Sequence, residues 1–227
     1  MLKIGHLLPF TLQDFKGEIS CIVYLAGCNF RCFYCHNPEL VKPELIKELD
    51  LVSEEKFFKF LDEKKEKLSG VVITGGEPCL FPDLYDFIKK IKDKGFKVKL
   101  DTNGTNPELL EKLVGDNLLD YVAMDIKASW KNYKKIVGVK ADIEKIKKSI
   151  EIIKKLPEYE FRTTVVEEIK DDFSEIAKIK GKRFILQQMR NEKTLKDYDK
   201  EPLGMEKLEE IKKELEEGFD EVKIVNV

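Results

Sequence analysis

From residue 19 onward the chain alternates between short β-branched runs and longer stretches in which Lys and Glu surround a stripe of apolar residues. Residues 19–25 (Ile-Ser-Cys-Ile-Val-Tyr-Leu) predict the first strand. After it, Ser53 is placed to cap a helix carrying Phe57, Phe58, Phe60, Leu61 and Leu68. Strand 71–74 is followed by a helix begun by Pro82, with Leu84, Phe87, Ile88 and Ile91 on one face. Strand 97–101 leads to a helix near Pro107, and strand 121–125 to a longer connection around Trp130. Ile143, Ile146, Ile150 and Ile153 mark the next helix, before strand 161–166. A short helix at 173–179, strand 184–187, a helix at 205–217 ended by Gly218 and a strand at 221–227 complete the pattern.

Strand–helix alternation at this spacing argues for a parallel sheet with right-handed crossovers. About six such units make an α/β fold, read here as an incomplete (β/α)6 partial TIM-type barrel; a doubly wound sheet has the same alternation. Residues 1–227 are expected to form a single domain. In either architecture, functional residues belong just after the carboxyl ends of the strands, and the unusual residues of this sequence cluster there.

Composition narrows the function classes. With 42% hydrophobic residues in 227, a sizeable core can form. The 41 basic and 43 acidic residues nearly cancel, which gives no electrostatic footprint for nucleic acid. No apolar run is long enough for a membrane span, and the first residues lack a secretory signal pattern, so a cytoplasmic location is expected. Five cysteines, three of them within eight residues, fit metal or cluster ligation better than a disulfide framework.

Those three are Cys28, Cys32 and Cys35, in the loop after the first strand. Thiolates ligate iron–sulfur clusters, and three of them would leave one iron of a cubane open to a substrate. A structural zinc site with His36 or Cys79 as fourth ligand is the plain alternative, although a second cysteine knuckle is missing. A ferredoxin-like carrier would need a full cysteine set. Three further segments close the next three predicted strands. Thr74-Gly75-Gly76-Glu77-Pro78 combines paired glycines, which permit close backbone approach, with a carboxylate able to receive an ammonium group. Asp101-Thr102-Asn103-Gly104 reads equally as a turn. Met124-Asp125-Ile126-Lys127 puts Asp125 and Lys127 on one face of the sheet, where a surface ion pair is the bland reading.

Taken together, the Cys-x₃-Cys-x₂-Cys loop after the first strand, with aromatic Tyr34 before its third cysteine, resembles the radical S-adenosylmethionine superfamily, and the later motifs follow in that family's order. The resemblance implies a [4Fe-4S] cluster on Cys28, Cys32 and Cys35. Its open iron would chelate S-adenosylmethionine, which is cleaved to methionine and a 5′-deoxyadenosyl radical. It further implies that Gly75, Gly76 and Glu77 bind the methionine amino group and that Lys127 pairs with its carboxylate. By the same resemblance Asp125 reaches the ribose, while Asp101 and Thr102 line the methionine end and admit a monovalent cation. Tyr34, Asn37 and Asn103 complete the implied cofactor-binding set. The Cys35-His36-Asn37 extension resembles activases that place a radical on a glycine of a partner enzyme, and the segment from Leu25 to Cys32 those of anaerobic ribonucleoside-triphosphate reductase. That implies a glycyl radical enzyme, such as anaerobic ribonucleotide reductase, as partner and a flavodoxin or ferredoxin as electron donor. A small-molecule enzyme of the 7-carboxy-7-deazaguanine synthase type and a non-catalytic zinc module remain as alternatives. There are departures from the activase pattern. Only Asp14 and Gly17 survive of an acidic glycine-rich stretch before the first strand, and Gln187-Gln188-Met189-Arg190 stands where some activases carry a late histidine. Arg162 has an inward and an outward reading, Cys21 reads as a buried apolar residue, and no cysteine beyond Cys79 supports an auxiliary cluster.

Overall fold

The computed structural model describes residues 2–190 and 193–225. Strands β1 (Ile4–Thr11) and β2 (Ser20–Leu25) are followed by helices α1 (Pro43–Ile46) and α2 (Glu54–Glu63). Next come β3 (Gly70–Gly75), α3 (Leu84–Asp93), β4 (Lys97–Thr102), α4 (Pro107–Gly115) and β5 (Tyr121–Asp125). Helices α5 (Tyr133–Val137) and α6 (Ile143–Ile153) lead to β6 (Tyr159–Val165), α7 (Phe173–Ile176), β7 (Gly181–Gln188), α8 (Met205–Glu216) and β8 (Phe219–Val225). Along the chain, each strand from β2 to β7 is followed by helix before the next strand. That is the run of six β/α units expected from the sequence.

Two compact units are resolved by contacts within the chain. The first comprises Met1–Asn29, Asn37–Val122 and Lys145–Glu158, the second Phe30–His36, Ala123–Glu144 and Tyr159–Val227. In the first, β1 runs antiparallel to β2, while β2, β3 and β4 are parallel, with Tyr24 opposite Thr74 and Ile73 opposite Leu100. Strands β2 and β3 are buried almost throughout, as strands covered on both faces must be. The helices form where the sequence supplies both cap and stripe. The Ser53 side chain accepts the Lys56 N–H and starts α2. Asn106 accepts the Leu109 N–H, with Pro107 as first helical residue of α4. Leu84, Phe87, Ile88 and Ile91 form the buried side of α3.

In the second unit β6, β7 and β8 are parallel. Tyr159, Phe161, Thr163 and Val165 are the buried face of β6, which leaves Arg162 and Thr164 on the other. Helix α5 stops at Gly138, whose φ of +71° is the left-handed helix end that glycine adopts without strain.

Several expectations need correction. β1 was not anticipated: its Pro9 and irregular burial hide the alternation, and proline is tolerated there because the strand stands at the end of the sheet order. Helix α3 begins at Leu84, two residues past Pro82. Leu68 lies outside α2; the helix closes at Lys64, and Leu68 is buried through a further turn in which its N–H donates to the Lys64 carbonyl. The last strand starts earlier, at Phe219, and the final two residues of its expected range lie outside the described residues. Among the described residues no helix is long and apolar enough to cross a membrane.

Candidate active site

The first unit carries Cys28 and the loops after β3 and β4. Gly76 N–H donates to the Leu25 carbonyl at 2.8 Å, and Glu77 N–H to the Gly27 carbonyl at 2.7 Å. The β2–β3 pairing thus continues past the strand ends to the residue before Cys28. The glycines are needed for this seating. Gly75 has φ of +124°, and a Cβ on Gly76 would lie 2.1 Å from the Gly27 carbonyl oxygen. The close approach foreseen for a ligand is therefore used, on this side, for the backbone of the cysteine loop. Gly76→Ala is expected to destabilise the protein by about 2–3 kcal/mol by overpacking; an unchanged thermal midpoint would contradict that reading.

The Glu77 carboxylate turns into the protein, only 1% exposed. Its Oε1 accepts the Cys79 N–H (2.9 Å) and the Thr102 hydroxyl (2.7 Å), and its Oε2 the Asn103 N–H (2.6 Å). Burial raises its pKa, and those three donors pull the other way. Glu77 is a clasp between the β3 and β4 loops. The Asn103 side chain is similarly engaged: its Nδ2 donates to Asn29 Oδ1 at 2.8 Å, and its Oδ1 accepts the Thr105 hydroxyl at 2.7 Å. Asn29 Nδ2 donates in turn to Thr105 Oγ1 at 2.8 Å. This triangle fixes the residue directly after Cys28. Asn29 and Thr105 were not singled out from the sequence, since nothing in their spacing sets them apart from ordinary turn residues. The Asn37 carbonyl accepts the Leu40 N–H, opening a short turn whose Leu40 carbonyl accepts the Gly27 N–H at 2.7 Å.

Asp101 and Thr102 fall on opposite faces of β4, as consecutive strand residues must. Thr102 belongs to the Glu77 clasp. Asp101 is buried on the face of Lys99, whose Nζ lies 3.7 Å from Asp101 Oδ1. Cys79 is fully buried with its sulfur 3.5 Å from the Thr102 hydroxyl, and burial raises its thiol pKa well above the ordinary value.

The second unit carries Cys32, Tyr34 and Cys35 together with the end of β5. Arg31 N–H donates to the Val137 carbonyl at 2.8 Å, and Gly138 packs against the Arg31 carbonyl, where a Cβ would come within 2.6 Å. The Cys32 thiol is 7% exposed, and burial pushes its pKa up to about 11, against the pull of the Lys127 ammonium. At the end of β5, Asp125 and Lys127 do share a face, with Lys127 Nζ on Asp125 Oδ2 at 2.8 Å. Arg162 Nε donates to the other oxygen at 2.5 Å. Burial alone would raise the Asp125 pKa, but Arg162 and Lys127 outweigh it and hold the carboxyl down to about 2. Burial likewise opposes charge on Lys127, and Asp125 outweighs it, so the ammonium stays protonated.

The loop after β5 is pinned from several sides. Lys127 N–H donates to the Tyr133 hydroxyl at 3.3 Å, and Tyr133 stacks on Trp130. Asp172 accepts the Ser129 N–H (3.0 Å) and the Asn132 side-chain amide (2.7 Å). Gln187 accepts from the Thr164 hydroxyl at 3.3 Å, and Gln188 Nε2 donates to the Leu203 carbonyl at 2.8 Å.

Two features of the described residues suit an iron–sulfur cluster and a polar cofactor. None of the five cysteines is in a disulfide, so the thiols are available as ligands. The Tyr34 hydroxyl and His36 Nδ1 are buried without a hydrogen-bond partner among the described residues, a state that costs about 1–3 kcal/mol unless something polar meets them. Among the described residues no three His, Cys, Asp or Glu side chains are gathered for a single metal ion; a cubane, whose thiolates ligate different irons, does not ask for that.

Residues 22–179 match the Radical SAM superfamily. The chain belongs to that superfamily. A radical SAM enzyme uses a [4Fe-4S] cluster and S-adenosylmethionine, so the zinc-module alternative is set aside. This radical SAM chain is 37% identical over 187 residues to a Methanocaldococcus jannaschii protein provisionally named a glycyl-radical enzyme activating enzyme, covering 77% of this chain and 74% of that one. It is 30% identical over 133 residues to a 7-carboxy-7-deazaguanine synthase of Methanopyrus kandleri, covering 50% of this chain and 51% of the relative, so that it spans about half of the latter's length. Among solved structures, a domain of pyruvate-formate lyase-activating enzyme from Bacteroides vulgatus superposes with a TM-score of 0.56 at 18% identity, over 70% of this chain and 99% of that one. That likeness shows the α/β fold with a partial parallel sheet of TIM type.

Proposed function

We propose that this radical SAM enzyme is an activase that abstracts hydrogen from a glycine of a partner enzyme, with anaerobic ribonucleotide reductase as the partner and a flavodoxin or ferredoxin as electron donor. The observation that carries the cofactor half of this reading is the charge arrangement at the end of β5. Two half-buried cations, Lys127 and Arg162, share one carboxylate, Asp125. Lys127, held charged by Asp125 at 2.8 Å, is placed to receive a single incoming carboxylate such as that of methionine. Cys28, Cys32 and Cys35 would hold the cluster, which supplies the electron that splits S-adenosylmethionine into methionine and a 5′-deoxyadenosyl radical.

The chain's own residues then have distinct tasks. Lys127 receives the methionine carboxylate, and Asp125 keeps Lys127 charged and in place. Tyr34 offers its hydroxyl to the cofactor. The carbonyls of Gly75 and Gly76 take the amino group. Glu77 and Asn103, with their side chains spent inside the protein, act as positioning residues for the loops that carry those contacts. A monovalent cation beside Asp101 belongs to this proposal too. The partner half is supported by the activating-enzyme relative, which aligns over about three quarters of both chains.

The test is anaerobic reconstitution with iron, sulfide, reductant and S-adenosylmethionine, with candidate partners present. The expected result is a glycyl radical doublet in the electron paramagnetic resonance spectrum of the partner. Cofactor cleavage with no radical on any partner would overturn the activase reading. It would favour a small-molecule substrate, as the 7-carboxy-7-deazaguanine synthase relative suggests.

A further inference from the structure

Between β7 and α8 the chain carries Lys193-Thr194-Leu195-Lys196-Asp197-Tyr198-Asp199-Lys200, a charged stretch with no helix or strand pattern. Such a segment ordinarily lies loose on the surface. Here it does not. Leu195 is buried, its N–H donates to the Cys35 carbonyl at 2.9 Å, and the Lys196 N–H donates to the Phe33 carbonyl at 3.0 Å. Three residues along the segment, the Tyr198 ring lies on the Phe33 ring, with centroids 5.0 Å apart. The Tyr198 hydroxyl donates to Glu168 Oε2 at 2.8 Å, and Lys200 donates to the other oxygen of the same carboxylate at 2.7 Å. Phe33 in turn packs edge-on against Tyr34. The segment therefore contacts the arm of the cysteine loop at two carbonyls and one ring, and its far end is tied to the turn after β6.

We propose that residues 193–200 are a strap that fixes the arm carrying Cys35, with Tyr198 as its positioning residue, and that the strap sets how fast iron escapes from the cluster. The inference rests on the reading that Cys28, Cys32 and Cys35 hold that cluster. Its physical basis is simple. An Fe–S bond at Cys35 can open only if the loop can move, and movement of residues 33–35 must break both backbone bonds and slide Phe33 off Tyr198. The strap makes no contact with substrate in this account. It acts through the loop.

The experiment compares wild-type holoprotein with Tyr198→Ala, Tyr198→Phe and Lys196→Pro, reconstituted anaerobically. Lys196→Pro deletes one of the two donated N–H groups at an exposed side chain. The first readout is the rate at which an excess of a ferrous chelator bleaches the sulfur-to-iron absorption. Tyr198→Ala and Lys196→Pro are expected to lose iron about fivefold faster, the equivalent of one aromatic pair or one hydrogen bond. Tyr198→Phe, which keeps the ring, should stay close to wild type. The second readout is hydrogen exchange at the Leu195 and Lys196 amides of the iron-free protein, slow in wild type and accelerated in Tyr198→Ala. Thermal unfolding of the iron-free variants separates a local effect from global loss; whichever of Tyr198→Ala and Lys196→Pro retains the wild-type midpoint decides, and if neither does, the exchange rates of Leu195 and Lys196 in wild type decide. Iron loss at the wild-type rate in a folded variant, or rapid exchange at both amides in wild type, would overturn the strap. If wild type itself takes up no iron, the cluster reading fails instead, and the exchange data still judge the strap.

Discussion

Cys32→Ala protein is expected to purify folded and free of iron, with S-adenosylmethionine cleavage abolished. The side chain is buried in the cysteine loop, so alanine removes one sulfur from a well-covered position and costs about 1 kcal/mol in packing. The cluster has no such tolerance. On the proposed ligation by Cys28, Cys32 and Cys35 one iron is already open, and a further loss would leave two irons without a protein thiolate. Iron per chain, measured colorimetrically after anaerobic reconstitution, should fall from about four to below about one-half. Circular dichroism should remain that of wild type. Cys21→Ala provides the contrast: Cys21 is fully buried in β2, and burial pushes its thiol up to about 12, the profile of an inert core residue. That variant should keep its iron. A full iron complement in Cys32→Ala would remove the residue from the ligand set.

The second large effect is on stability. Asp125→Ala leaves Lys127 and Arg162 facing one another without the carboxylate that both of them touch. Removing one member of this half-buried ionic set costs about 2–3 kcal/mol, between the values for exposed and fully buried pairs, because the remaining charges stay partly desolvated. The expected outcome is a drop of that size in the free energy of unfolding by urea. Asp125→Asn, which keeps the shape and one acceptor oxygen, should lose less. The same carboxylate predicts a pH dependence. Its folded-state pKa, about 2, lies below the ordinary aspartate value of 3.8, so the unfolded chain takes up the proton first. Its contribution is thus fully present above about pH 4 and is lost as pH falls through about 2, amounting to about 2 kcal/mol. A wild-type protein that lost this increment between pH 6 and 5, and an Asp125→Asn variant that showed the same acid profile as wild type, would each contradict the assignment.

The strand–helix alternation was legible because each strand reads as a short β-branched run and each helix carries its own stripe; β5 spans the predicted 121–125. The position of the motif segments at the strand ends was legible for the same topological reason. What the sequence could not convey was direction. Gly75, Gly76 and Glu77 look alike whether they face a ligand or a neighbouring backbone, and only the register of β2 on β3 shows that their hydrogen bonds go to Leu25 and Gly27. Spacing put Asp125 and Lys127 on one face, but Arg162 joins them through the placement of β6, which no local pattern encodes. The strap at 193–200 left no trace, since a single buried Leu195 in a charged stretch has no period to detect.

Gly138 shows how far from the chemistry its requirements reach. It bears no functional group, yet its left-handed φ and its fit against the Arg31 carbonyl leave room for no other residue beside the cysteine loop. A random mutagenesis screen scored by the brown colour of the colonies would therefore return colourless hits at this position as well as at Cys28, Cys32 and Cys35. Such hits would mark heritable intolerance that arises from shape alone.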